Sequence, residues 1–425
     1  MEKIIFTGLG ACQEVGRSSF LIEAKDHILL DRGVKLNPEL TEYPLPVTTN
    51  LDAVLISHAH LDHSGDLPHL FLTGNPLTYL TQETLELSEL LWHDTLKIAG
   101  FEGMDANFSK EEINRTKHYS FPLTYKKEVQ ITENTSIELR NAGHILGAAI
   151  TKFYFKKHSL IYTGDFRVED TRLMPEADLN FGSTDFLIIE STYGDRNHDP
   201  RKIEEKKLIE AVKNVTENNG IVLIAAFAVG RSEEILDILF EGKISVPVYF
   251  DGMGQKAARI SLKHQDKLRN PKRLEQALEN AVWIKKDKQR KEALKQPCVI
   301  VSTAGMLGGG PIMFYLQKLW NDPSSALFLS GYQVKGTVGR KLLEENILDL
   351  PQKSVRPNLL VKQFDFSGHA SQSEMIKAIK KWSPQKILLV HGDKEVMPVF
   401  KQKIIEETGI ETIIPEINEK IVLSE

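Results

Sequence analysis

Four side chains able to ligate a metal fall within six positions of the run Ser57-His58-Ala59-His60-Leu61-Asp62-His63-Ser64-Gly65. The apolar stretch Leu51 to Ile56 before it reads as a buried strand. His58 and His60, two apart, therefore leave the strand end on one side, while Asp62 and His63 follow at a turn into a helix. One short loop can serve two metal ions in this way. Imidazole nitrogens and a carboxylate oxygen suit zinc, with manganese or iron as alternatives, and no thiolate is offered that would suggest a closed structural site.

Further candidate ligands stand at strand ends, where an α/β protein places its chemistry. His144 follows a strand in Arg140-Asn141-Ala142-Gly143-His144-Ile145-Leu146-Gly147, between glycines that let backbone approach closely. Asp165 ends Leu160-Ile161-Tyr162-Thr163-Gly164-Asp165, and a carboxylate there can bridge two metals. Asp31, ending Ile28-Leu29-Leu30-Asp31, is expected to orient a ligand imidazole or the loop backbone rather than to ligate.

The elements that must position these groups fall into two patterns. Short apolar runs broken by Gly or charged turns predict strands at Lys3 to Thr7, Ser18 to Glu23 and Ile28 to Asp31. Further strands are predicted at Ser136 to Leu139, Thr151 to Phe155, Ser159 to Tyr162 and Phe186 to Glu190, with a helix over Gln82 to Gly100. From about Arg201 the pattern alternates: helix Ile203 to Asn218, strand Gly220 to Phe227, a helix opening near Ser232, then strands at Val246 to Phe250 and Val299 to Ser302. That alternation predicts a distinct parallel α/β segment from roughly 200 to 350. No internal repeat, low-complexity tract or Pro-rich linker interrupts it.

A length of 425 residues allows two or three domains, and 41% hydrophobic with 26% charged residues is a globular composition. The formal charge of −5 gives no global attraction to nucleic acid, so such a partner must be held by local fields. Only Cys12 and Cys298 are present, which excludes a disulfide framework and fits a reducing cytoplasm. The start of the chain lacks a basic segment followed by an apolar one, and no stretch has the apolar length to span a bilayer. A cytoplasmic enzyme without membrane partners is the expectation.

Asp31, the His58-Ala59-His60-Leu61-Asp62-His63 run, His144 and Asp165 together resemble, in order, the first four motifs of the metallo-β-lactamase superfamily. The resemblance implies an αβ/βα sandwich with a dinuclear site at one edge of its sheets, a frame that does not choose a substrate. Three later segments look like the β-CASP nuclease branch. Glu190-Ser191-Thr192-Tyr193-Gly194 resembles its motif A, Phe366-Ser367-Gly368-His369-Ala370-Ser371 its motif B, and Leu389-Val390-His391-Gly392 its motif C. Ala225 to Arg231, Ser302 to Pro311 and Gly331 to Thr337 resemble other stretches typical of the family. Histidine at motif C resembles the RNA-processing members.

The resemblance implies that His58, His60 and His144 hold one zinc, that Asp62, His63 and His391 hold the other, and that Asp165 bridges them. Two metals about 3.5–4 Å apart can neutralise a scissile phosphate and activate water in line with the leaving oxygen. His369 is the expected acid, oriented by Glu190. Seven of the thirteen histidines, among them His27, His118 and His264, receive no role.

Within the inserted segment, glycine turns lead from predicted strands into helices, so free N–H groups at Gly308, Gly309 and Gly310 can receive phosphate oxygens. Arg231 and Lys335 would add charged contacts, and Tyr332 could stack a base. Residues 256 to 295 carry 13 Lys or Arg against 5 Asp or Glu, 13 − 5 = +8, either a solvated helix face or a field that steers RNA.

The expected protein is thus a zinc-dependent hydrolase of single-stranded RNA that leaves 5′-phosphate and 3′-hydroxyl ends. Its α/β architecture would be a metallo-β-lactamase domain over 1–200 and 351–425 with a β-CASP domain over 201–350 inserted. A small-ester hydrolase of the glyoxalase II kind and a non-catalytic RNA-binding scaffold are the rival readings. The chain has no room for the further C-terminal domain of RNase J members, lacks the KH domains of many archaeal members, and carries Phe250-Asp251-Gly252-Met253-Gly254 where a Ser-Pro version is common. Internal cutting and trimming from a 5′ end both stay open, and a homodimer or an RNA-processing complex would supply the missing binding modules.

Overall fold

The computed structural model describes residues 3–36, 40–103 and 105–424. Two seven-stranded sheets form the first unit. One runs, in spatial order, Lys420–Ser424, Ile4–Gly8, Phe20–Glu23, His27–Leu30, Ala53–Leu55, Thr78–Thr81, Ser120–Leu123. The other runs Glu411–Ile413, Lys386–Val390, Phe186–Glu190, Ser159–Tyr162, Ala149–Tyr154, Ser136–Asn141, Glu128–Gln130. Both use residues from the two ends of the chain.

The period of two along each strand builds the layers. Ala53 and Leu55 join Phe6, Phe153, Leu160 and Ile188 in the cluster between the sheets. Val54, pointing the other way, joins Phe71, Trp92 and Ile113 beneath the helices of its own side. Likewise Phe186 and Ile188 face the opposite sheet, whereas Leu187 and Ile189 meet Trp382 and Phe400 of the covering helices. The result is the expected αβ/βα sandwich. Trp382 is fully buried and donates its indole N–H to the Leu179 carbonyl at 2.9 Å, so truncating it to alanine should cost ~3–5 kcal/mol.

The inserted unit is a six-stranded sheet, Val282–Trp283, Val248–Asp251, Cys298–Ser302, Ile221–Ala225, Ala326–Leu329, Leu360–Gln363, in which every pair is parallel. Such a sheet is buried on both faces. Val222, Ile224, Val299 and Val301 pack toward helices Arg201–Glu217 and Arg231–Glu241, and Leu223 and Ile300 pack toward Pro311–Leu319. The strand Leu360–Gln363 extends this sheet past residue 350, where sequence reading returned the chain to the sandwich. Its partly exposed pattern carries little of the apolar signal that marks the inner strands. Helix Gln372–Trp382 and strand Lys386–Val390 bring the chain back to the second sandwich sheet. Among the described residues, no helix is long and apolar enough to cross a membrane.

Candidate active site

The strand Ala53–Leu55 leads into the turn that carries His58 and His60, and Leu61–Ser64 is a single helical turn bearing Asp62 and His63. That turn is pinned by the segment after the neighbouring strand. Arg32 N–H donates to the His63 carbonyl and Val34 N–H to that of Leu61, both at 2.8 Å, and Ser18 N–H donates to the Asp62 carbonyl at 2.8 Å. Gly33 makes the approach possible, because a Cβ there would lie 1.8 Å from the Asp62 carbonyl oxygen. Arg32 and Asp66, both buried, close the contact with an ion pair at 2.9 Å.

Asp31 sits at the centre of the support. Its carboxylate accepts from Ser57 N–H, Ser57 O–H and His63 Nδ1, each at 2.7 Å, and from the Tyr162 hydroxyl at 2.5 Å. Because the Ser57 proton goes to Asp31, its oxygen accepts from His58 Nδ1 at 3.1 Å. The lone pair of His58 is thereby left on Nε2. His144 donates from Nδ1 to the Gly368 carbonyl at 2.8 Å and likewise turns Nε2 toward the cluster.

Three overlapping groups result, each with its ligand atoms within 4.8 Å of one another: His58, His60, His144 and Asp165; Asp62, His63, Asp165 and His391; and Asp165, Glu190, His369 and His391, of which the first two hold the expected ligands. The structure thus brings all seven expected ligands together, with Asp165 common to all three groups. Asp165 lies 3.5 Å from His58 Nε2, 3.3 Å from His63 Nε2, 3.8 Å from His144 Nε2 and 3.3 Å from His391 Nδ1. His391, in left-handed backbone with φ of 49°, is held by N–H donation to Ala11 and lies 3.2 Å from Asp62.

The donor set fits metal ions. His58 Nε2, His60 Nε2 and Asp165 Oδ1 are buried with no hydrogen-bond partner, an expensive arrangement unless a cation fills it. Burial, aided by neighbouring imidazoles, pushes His58 and His144 well below the ordinary histidine pKa and His60 down to about 4, so these rings are neutral, as ligands must be. Burial opposes ionisation of Asp165 and Asp62, but the surrounding histidines hold both well below the carboxylate range. For His63, the carboxylates Asp165, Asp62 and Asp31 outweigh burial and raise the pKa far above normal.

His369 stands beside this cluster. Its Nδ1 donates to Glu190 Oε2 at 2.9 Å, and Glu190 Oε1 accepts from Phe166 N–H at 2.9 Å, which fixes the carboxylate. Burial works against the imidazolium, but Glu190 and Asp165 prevail and lift the His369 pKa to about 9. The His369 side chain is 19% exposed and that of Asp62 31%, whereas Asp165 and His58 are at 2% and 0%. Solvent therefore reaches the cluster from the His369 and Asp62 side.

Loops of the inserted unit close over that side. Tyr332 donates its hydroxyl to Asp393, two residues past His391, at 2.8 Å, and its ring meets Tyr193 edge-on at 5.9 Å. Lys335 is 79% exposed, 4.0 Å from Glu395. Gly308 and Gly309 face open space, and Gly310 precedes helix Pro311–Leu319. Arg231 lies deeper than these loops. Its guanidinium is buried and paired with Glu234, which also binds Arg201 at 2.6 Å and Arg172 N–H at 3.0 Å. Six of the thirteen cations in the basic run, Lys263, Lys267, Arg269, Arg273, Arg290 and Lys295, pair with carboxylates, four of them with partners outside the run. Sequence reading passed over His198, Asp365 and Arg167, whose side chains gather around the His369 loop.

Residues 234–342 match the family model of the Beta-Casp domain, and residues 354–415 match that of the Zn-dependent metallo-hydrolase RNA specificity domain. Residues 3–184 match the model of the anti-Pycsar protein Apyc1. The chain is 39% identical to the probable RNase MJ4 of Methanocaldococcus jannaschii, over 99% of each chain. It is 36% identical to RNase aCSPSF2 of Saccharolobus solfataricus, covering 98% of this chain and 84% of that one. It is 37% identical to the RNase J-like protein of M. jannaschii, covering 96% of each. A solved structure of a protein of unknown function from Enterococcus faecalis V583 shares the fold with a TM-score of 0.61 at 20% identity, over 99% of this chain and 100% of that one. With both domains matched and the His/Asp cluster assembled between their motifs, the chain belongs to the β-CASP family of metallo-β-lactamase-fold ribonucleases.

Proposed function

We propose that the protein hydrolyses phosphodiester bonds of single-stranded RNA in RNA processing or decay, leaving 5′-phosphate and 3′-hydroxyl ends. The observation that carries this reading is the His369–Glu190 pair, 2.9 Å long, set against a carboxylate shared by two metal-ligating groups. His58, His60 and His144 would hold one zinc and Asp62, His63 and His391 the other, with Asp165 between them. Bound there, the two ions supply Lewis acidity toward the phosphoryl oxygens and a water made nucleophilic at neutral pH.

The remaining work falls to the chain. Asp31 fixes the His63 ring through Nδ1, and Ser57 fixes His58, so both present Nε2. Glu190 keeps the proton of His369 on Nδ1 and sustains the imidazolium, which donates from Nε2 to the departing 3′-oxygen. The closing loops of the inserted unit favour an extended strand over a duplex, with Lys335 and the N–H groups of Gly308 to Gly310 meeting backbone phosphates and Tyr332 meeting a base. We propose two units, 1–200 with the C-terminal segment and 201 to about 364, a reading supported by the pairing of Leu360–Gln363 with Ala326–Leu329. A reducing cytoplasm suits its two free cysteines, and a homodimer or processing complex would extend the RNA-binding surface.

End-labelled single-stranded RNA and DNA, with 5′-phosphate or blocked 5′ ends, test the proposal. Cleavage of RNA in preference to DNA and to perfect duplex is expected, and product lengths separate internal cutting from trimming. His369→Ala should lower the rate ~10²- to 10⁴-fold. An unchanged mutant rate removes His369 as the acid, and thioester turnover without RNA cleavage removes the ribonuclease reading.

A further inference from the structure

The loop Ser367 to His369 has no regular secondary structure of its own, and its carbonyls are held by cationic or ring N–H donors. Ser367 accepts from Arg167 at 3.3 Å and Arg201 at 3.4 Å, and Gly368 accepts from His144 Nδ1 at 2.8 Å. The His369 carbonyl accepts from Arg167 at 3.1 Å and from His198 Nε2 at 3.1 Å. The other nitrogen of His198 lies 3.0 Å from Asp365 Oδ2, while Asp365 Oδ1 accepts from Ser367 N–H at 3.2 Å. The His198 ring is 6% exposed and packs edge-on against Tyr193 at 4.5 Å.

Both partners of that ring, a carbonyl and a carboxylate, can only accept. Neither nitrogen has anything to accept from, so both hydrogen bonds require the ring to donate twice. A histidine serving only as packing would leave one nitrogen to water or to a hydroxyl. Two donors also fill both lone pairs of the His369 carbonyl, which stops its peptide from rocking and thereby sets the direction of the His369 ring. His198 lies just before helix Arg201–Glu217, at the crossing from sandwich to inserted unit, and ties that crossing to the acid.

We propose that His198 is a positioning residue for His369: anchored by Asp365, it fixes the His369 carbonyl so that the imidazolium meets the leaving oxygen. The inference rests on the reading of His369 as the acid. Two variants separate its two bonds. Asparagine reproduces only the nitrogen that faces Asp365, while glutamine reaches the His369 carbonyl.

With single-stranded RNA and zinc-loaded enzyme, His198→Asn is expected to lower kcat roughly 10- to 100-fold with KM changed less than about threefold. His198→Gln should recover most of that loss. On bis(4-nitrophenyl) phosphate, whose leaving group needs no proton, both variants should match the wild type. Wild-type kcat for His198→Asn on RNA, equal losses on the two substrates, or a loss that follows zinc content or melting temperature would each overturn the proposal. Should His198→Asn fail to fold, Asp365→Asn carries the test, with the same selective loss on RNA expected and wild-type behaviour overturning it. His369→Ala distinguishes the two levels. If it cleaves RNA normally, the acid reading fails; if it is impaired on RNA alone while His198→Asn is normal, only the role of His198 fails.

Discussion

Two carboxylate–imidazole pairs lie a few ångströms apart in this site, Asp31 with His63 at 2.7 Å and Glu190 with His369 at 2.9 Å. Chemically they are the same pair, and their surroundings make them different. Asp31 is wholly buried and accepts four hydrogen bonds, and the far nitrogen of His63 faces Asp62 and Asp165. The ring is fixed there, with its far nitrogen turned toward the two carboxylates that would share a cation with it. Glu190 accepts from one backbone N–H and from His369, whose ring reaches the exposed side and whose Nε2 has no hydrogen-bond partner among the described residues. There the same pairing keeps a proton ready to leave. On the proposed reading, a carboxylate makes a histidine into a ligand holder or an acid according to what its second nitrogen meets.

The comparison breaks most severely if the carboxylate shared by the metal groups goes. Asp165→Ala should lower RNA cleavage about a thousandfold and reduce zinc measured by elemental analysis to less than one ion per chain. Zinc retained at two per chain would show that the pairs do not share a metal site. Next in size is Glu190→Gln, for which a loss of about 10- to 100-fold is expected with zinc content unchanged. The acid must be protonated, so activity falls as pH rises through its pKa. Glu190 raises that pKa, to about 9 in the metal-free chain, and removing its charge should move the alkaline limb of kcat toward acid. A limb that stays in place would assign it to another group.

Asp31→Asn gives the converse. It should weaken zinc affinity by ~10- to 100-fold, read by competition with a chelator, while the alkaline limb stays where it is. The smallest effect sharpens the comparison with a carboxylate that has no imidazole. Burial pushes Glu233 up to about 7, despite the Ser261 hydroxyl and Gly230 N–H it accepts. Its folded pKa is raised, so its contribution to stability is fully present below about pH 4.5 and is lost as pH rises through about 7. Glu233→Gln should therefore gain stability relative to wild type between pH 5 and pH 8, by ~1–3 kcal/mol in denaturant titration. A constant difference across that range would show that Glu233 does not ionise in the fold.

The expected ligands in the first half of the chain stood out because each sits at a strand end or turn marked by local pattern, as at Val54 to His58 or Tyr162 to Asp165, whereas His391 was reached only through the family resemblance. Period-two and helix–strand alternation likewise marked four neighbouring strands in each sandwich sheet and three of the inserted sheet, but not Thr78–Thr81, Ala326–Leu329 or Lys386–Val390. What stayed hidden depends on contacts distant in sequence. Nothing near His198 announces that Asp365, 167 positions on, will face it. The charge count over residues 256 to 295 could not reveal that Arg273 meets Asp237 and Lys263 meets Glu86. Arg231 looked available for the same reason, since its partner Glu234 is visible in sequence but its burial is not. The strand Leu360–Gln363 escaped because an exposed edge has little apolar pattern to read.

One consequence follows from how far apart the ligands lie in the chain. Asp62 and His391, 3.2 Å from each other, are separated by 329 residues, and His391 is set in place by the backbone of Ala11. A polypeptide still growing on the ribosome therefore has no complete catalytic centre until its last part has emerged and threaded beside the first strands.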